Sequence, residues 1–150
     1  MFRQAVLLAA AAFLVAVPAP GAFAQNAIAT ADGETPGIRI EITELSRSSG
    51  ETVTLKFRIV NDSGDKANPN QLMGGYEAKE VHLIDAAGKK KYLVIKDSDG
   101  KCVCSGGLDS QLDSGKSMNL WARFPAPPAE VKEVSVVFPS FIPTDAPIAD

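Results

Sequence analysis

Hydrophobic and polar residues alternate with a period of two along several stretches of this chain, the pattern of a strand with one buried and one solvated face. Ile38, Ile40 and Ile42 are interleaved with Arg39, Glu41 and Thr43. Val53, Leu55, Phe57 and Ile59 are interleaved with Thr54, Lys56 and Arg58. Ser48-Ser49-Gly50 lies between the two runs and supplies a turn, so together they predict a hairpin. Two shorter apolar runs, 81–84 and 92–95, flank Ala86-Ala87-Gly88 and predict a second one. Met118, Leu120, Ala122 and Phe124 alternate again and run into the Pro-rich turn Pro125-Ala126-Pro127-Pro128. Val134, Val136 and Phe138 mark a last strand, and nothing longer than a turn has helical spacing.

Residues 61–75 and 97–114 are rich in Asn, Asp, Ser and Gly and read as long loops. Residues 25–36 are small, polar and Pro/Gly-bearing, the composition of a flexible leader. The expected fold is all-β: an immunoglobulin-like antiparallel β-sandwich of six or seven short strands, forming a single domain over 37–150. A small antiparallel barrel is the alternative.

The first residues change the picture of where such a domain works. Arg3 gives a short positive start, and residues 5–17 are uncharged and rich in Ala, Leu and Val. Pro18 and Pro20 then break any helix, and Ala22-Phe23-Ala24 has the small residues that signal peptidase subsites accept. Residues 1–24 therefore read as a signal peptide cleaved after Ala24, because so short an apolar run does not span a bilayer core comfortably. No later stretch approaches spanning length, so no membrane span is expected in the mature chain, and no cysteine near the cut offers a lipid anchor. The product is expected to be exported, to a bacterial periplasm or the medium. Asn61-Asp62-Ser63 would be a glycosylation sequon in a eukaryotic route, with nothing else pointing there.

Length and charge narrow the function classes. A chain of 150 residues is one domain's worth. A net charge of −3 and a pI near 5.2 exclude the basic face of a nucleic-acid binder. Cleavage after Ala24 removes one base and no acid, leaving the product more acidic still.

From about residue 81 to 148 the order of short motifs is distinctive. It runs Lys91-Tyr92, Asp99-Gly100-Lys101-Cys102-Val103-Cys104-Ser105, then Gly115 and Leu120-Trp121-Ala122-Arg123-Phe124-Pro125-Ala126-Pro127-Pro128. It closes with Pro139, Phe141 and Pro147-Ile148. This half of the chain resembles the exported immunoglobulin-like domain that precedes OmpA-type modules in some bacterial envelope proteins. The resemblance implies a β-sandwich and brings no enzymatic activity, cofactor or defined ligand. The peptidoglycan-binding module of such proteins has no counterpart before Asp150, so peptidoglycan binding is not carried over.

Candidate chemistry is sparse. Cys102 and Cys104 are the only cysteines, and an oxidising compartment favours pairing them. In an extended strand their Cα atoms would stand nearly 7 Å apart, so a bridge needs a bend at Val103, which Gly100 and Gly106-Gly107 can accommodate. So small a loop gives modest stabilisation and a bridge open to reduction. The alternative is a thiol-redox or soft-metal role for the same pair, although Cys-x-x-Cys is the commoner arrangement for both. His82 alternates with Val81 and Leu83 and reads as solvent-facing or partly buried, and Met118 reads as a core residue. Asp97-Ser98-Asp99-Gly100 fails the calcium-loop frame, with Ile95 where the first carboxylate belongs, and reads as a turn. Lys89-Lys90-Lys91 reads as a solvated hairpin tip. With one histidine beyond the leader and no Gly-x-Ser-x-Gly elbow, no catalytic residue is assigned, no metal or cofactor is expected, and the chain reads as a non-enzyme.

The most informative polar-face residue is Trp121. Alternation turns it outward with Asn119 and Arg123, a side-chain mix enriched at binding hot spots. The competing expectation is that the apolar tail Phe141-Ile142-Pro143 folds back over the indole. The function expected from all this is an exported, non-enzymatic binding or accessory domain of the bacterial envelope, with Trp121, Arg123 and Asn119 as its surface.

Overall fold

The computed structural model describes residues 26–49 and 51–150; the expected signal peptide and its cleavage point lie outside them. The strands are β1 (Ala29–Asp32), β2 (Ile38–Ser48), β3 (Thr52–Asn61), β4 (His82–Asp85), β5 (Lys90–Leu93), β6 (Lys116–Pro125), β7 (Glu133–Val137) and β8 (Thr144–Pro147). They form two antiparallel four-stranded sheets, β1-β2-β3-β6 and β5-β4-β7-β8. This is the expected all-β sandwich, with eight strands where six or seven were expected. The loop 61–75 contains only one helical turn, α1 (Pro69–Leu72), whose N-cap Asn68 accepts the Gln71 N–H through its side chain at 3.3 Å.

The extra strands are the short ones nearest either end of the described residues. β1 lies inside the stretch read as a flexible leader, which corrects that reading for Ala29–Asp32. It pairs with Arg39–Ile42 of β2 and buries only Ala31. β8 pairs with β7 and likewise buries only Ala146. Both depend on backbone bonding to a neighbour more than on an apolar face of their own.

The inner faces make one core. Ile40, Ile42, Leu55, Phe57 and Ile59 come from the first sheet, and Leu83, Val134 and Val136 from the second. The Phe57 and Phe138 rings meet across it with centroids 4.9 Å apart. A bulge between Ile42 and Glu44 in β2 breaks the period of two, so that Leu45 turns inward and Glu44 stays out.

Irregular segments close both open sides of the sandwich. On one side Gly33 bridges Phe141, and the Ile142 N–H donates to the Asp32 carbonyl at 2.9 Å. A side chain at Gly33 would press on the Ile38 carbonyl and the Phe141 ring, which explains glycine there. On the other side the Val103 N–H donates to the Ile95 carbonyl at 2.8 Å, and the Arg123 N–H donates to the Val103 carbonyl at 3.0 Å. Val103 thus links the continuation of β5 to the edge of β6. Ala149 adds to β2 in parallel, its N–H donating to Leu45 and its carbonyl accepting from Arg47, each at 2.8 Å. The Arg47 guanidinium also donates to the carbonyls of Pro127, Pro128 and Val131, pinning the Pro-rich turn after β6.

Candidate functional site: the outer face of β6

Strand β6 sorts its residues as the alternation predicts. Leu120, Ala122 and Phe124 are buried, whereas Asn119, Trp121 and Arg123 face outward. Trp121 is 40% exposed. The tail does not cover it: Phe141 packs on Phe138, and β8 belongs to the opposite sheet. Of the two expectations for the indole, exposure is the one the fold realises. Met118 is partly buried against the core.

Register across the sheet sets what surrounds the indole. Lys56 stands opposite Trp121, Thr54 opposite Arg123 and Arg58 opposite Asn119. Thr43, at the β2 bulge, Thr54 and Lys56 join Asn119, Trp121 and Arg123 around an open depression of about 440 Å³. Trp121 and Asn119 also line a second depression of about 370 Å³ formed with the loop from Cys104 to Asp109. The indole is therefore a ridge between two concavities. Thr43, Thr54 and Lys56 escaped the sequence reading, because strand alternation says which face a residue takes but not which residues meet across strands.

Most of the polar groups on this face already have partners. The Lys56 ammonium pairs with Glu44 Oε2 at 2.8 Å, and the Ser46 hydroxyl donates to Glu44 Oε1 at 2.7 Å. These contacts, Lys56 first, hold the Glu44 carboxyl below its ordinary value. The Thr54 and Ser48 hydroxyls share a hydrogen bond of 2.7 Å, and Thr43 Oγ1 donates to the Lys56 carbonyl. Further along the sheet Glu41 accepts from Arg39 at 2.8 and 2.9 Å and from Arg58 Nε at 2.6 Å. Burial alone would push the Glu41 carboxyl up, but the two guanidinium groups outweigh it and hold it down. Arg39 also reaches Asp62.

Cys102 and Cys104 lie in the segment that covers the β6 edge. Their Cα atoms are 5.3 Å apart, within disulfide range and well short of an extended strand, so the chain bends at Val103 as pairing requires. Both are partly buried against the core. Among the described residues no group of three or more His, Cys, Asp or Glu side chains is placed to hold a metal ion. His82 is half-buried, its Nδ1 3.2 Å from the Glu80 carbonyl, and lies on a different sheet from Trp121. Asp97 Oδ1 accepts the N–H groups of Asp99 and Lys101, each at 2.9 Å, and organises a turn. Lys89, Lys90 and Lys91 are exposed at the β4–β5 turn.

Asn61 is fully buried, which the sequence did not reveal. Its Nδ2 donates to the carbonyls of Asp65 and Leu112 at 2.7 and 2.9 Å, and its Oδ1 accepts from the Ser63 N–H and hydroxyl. The amide of the sequon is a structural hub and is not presented to solvent.

The chain matches no family model, no curated protein and no solved structure. Among the described residues no helix is long and apolar enough to cross a membrane.

Proposed function

We propose that this chain is an exported, non-enzymatic binding or accessory domain of the bacterial cell envelope. Support comes from the signal-peptide pattern of residues 1–24, the resemblance over residues 81–148 to domains that precede OmpA-type modules, and above all the exposed Trp121. A large amphipathic ring held on a rigid strand beside a guanidinium and an amide contributes contact area at little cost in side-chain entropy.

Co-sedimentation of the purified protein with isolated cell envelopes tests this reading. The wild type is expected to sediment saturably. Trp121→Ala should weaken retention by about thirtyfold, the effect of truncating a central anchor. Equal retention of wild type and variant would remove Trp121 from the function. Turnover of an envelope component that is lost on changing a single acid would remove the non-enzymatic reading.

The second reading is a thiol-redox or soft-metal role for Cys102 and Cys104, favoured by their placement at disulfide distance in a surface segment. Intact mass under non-reducing conditions, with and without alkylation, separates the two. A two-proton deficit that withstands mild reductant fits a structural bridge. Free thiols holding stoichiometric Cu(I) or Zn(II) favour metal handling.

A further inference from the structure

We propose that the row Asn119, Trp121 and Arg123 binds an acidic glycan, a chain of sugar rings carrying carboxylates. This rests on the reading of the β6 face as the binding face and names its ligand class.

The backbone excludes one common mode of recognition. The Trp121 N–H donates to Ser105 Oγ and its carbonyl accepts from the Ser105 N–H, each at 2.8 Å. The Arg123 N–H is given to Val103, and its carbonyl accepts from Ile95 at 2.9 Å. The edge of β6 is therefore occupied at both residues, and β2 and β3 are paired on both sides. An extended peptide has no free ladder to join here, so the ligand must be read by side chains alone.

The side chains left available define what they can read. Thr43, Thr54 and Lys56 are already engaged, as described above. Asn119 and Arg123 make no side-chain hydrogen bond or ion pair among the described residues, and the indole between them is open. Successive outward positions on a strand are about 7 Å apart, so an amide, an aromatic face and a guanidinium follow one another in a line. The face of an indole is electron-rich and attracts the weakly positive C–H bonds that one side of a pyranose presents. An amide can both donate to and accept from ring hydroxyls, and a guanidinium forks onto a carboxylate.

Charge selects the acidic member of the class. Among the described residues no carboxylate lines the larger depression, and Arg123 stands on it without an ion-pair partner; the Lys56 charge is matched by Glu44, and Asp109 lies only on the neighbouring depression. An acidic peptide would satisfy Arg123, but with the β6 edge occupied it could add no backbone ladder here, which a glycan does not need.

Trp121 is the only tryptophan, so its emission reports this site alone. The full protein is titrated with oligogalacturonate and with oligosaccharides of hyaluronan, against a neutral cello-oligosaccharide and poly-L-glutamate. At least one acidic glycan is expected to change the emission saturably, about tenfold more tightly than the neutral chain and less tightly as salt rises. Arg123→Gln should weaken that binding by about tenfold or more, and Trp121→Ala should abolish retention on a gel carrying the same glycan. A response to poly-L-glutamate equal to that for the glycans would overturn the glycan class in favour of an acidic peptide. Silence with both acidic glycans, while Trp121→Ala still weakens envelope retention, overturns this inference and leaves the binding face standing. Silence together with Trp121-independent retention overturns both.

Discussion

Ser105 holds Trp121 by two hydrogen bonds, its hydroxyl accepting the Trp121 N–H and its own N–H donating to the Trp121 carbonyl, each at 2.8 Å. One small residue therefore seals the strand edge behind the outward-facing indole. Ser105→Ala removes the hydroxyl acceptor and keeps the other bond. Because water can reach the freed N–H, the expected loss is about 1 kcal/mol in a urea titration. A loss near 3 kcal/mol would mean that the whole segment detaches from β6.

The cysteine pair lies in the same segment, one residue before Ser105. Closing a loop of three residues removes little chain entropy, so the bridge should contribute about 1.5 kcal/mol. The double variant Cys102→Ser/Cys104→Ser is expected to stay folded, with its unfolding free energy from a urea titration lowered by no more than that. Collapse of the fold would show that the backbone bonds of Val103 to Ile95 and Arg123 cannot close that side without the bridge.

Glu41 makes stability depend on pH in one direction. Its folded carboxyl titrates below the ordinary value of 4.5. The contribution is therefore complete above about pH 4.5 and disappears as the pH falls through the lower folded value. Glu41→Gln cannot lose what it lacks. The drop in unfolding free energy between about pH 7 and about pH 3 should be smaller in the variant than in the wild type. An equal drop in the two proteins would place the acid sensitivity elsewhere.

Asn61→Asp probes the buried hub. The substitution is isosteric, but it replaces the two N–H donors with an acceptor facing the Asp65 and Leu112 carbonyls. Leaving such groups unpaired in the interior costs about 3 kcal/mol. Thermal unfolding should fall by several degrees, and hydrogen exchange should quicken at Leu112, whose N–H is bonded to Ala67. An unchanged melting temperature would contradict the hub.

The strands that could be read from the sequence are those that bury large side chains at every second position. In β3, Val53, Leu55, Phe57 and Ile59 leave no doubt about the face. β1 and β8 bury one alanine each, Ala31 and Ala146, so their local sequences carry no such pattern. Their existence is fixed by β2 and β7, which is tertiary information. The site divides in the same way. Trp121 points outward because Leu120 and Ala122 point inward, and that follows from one strand. That Thr54 and Lys56 stand beside it follows from the register between β3 and β6, and the bulge at Thr43 interrupts the only pattern that could have placed the third neighbour. Asn61 was hidden for a simpler reason: a single buried amide has no period.

The parallel contact of Ala149 with Leu45 and Arg47 has a kinetic consequence. The β2–β3 hairpin joins neighbours in sequence and can form quickly, and β1 pairs with residues 39–42 on the other edge of β2. The part of that edge at Leu45 and Arg47 is instead completed by Ala149, roughly a hundred residues further along. Contacts of such long range require the closure of a large loop before they return any stabilisation, and sandwiches built this way fold on the order of milliseconds to seconds. During synthesis the part of the β2 edge at Leu45 and Arg47 stays unpaired until Ala149 emerges. The time this short edge spends vulnerable to mispairing is thus set by a segment about a hundred residues away.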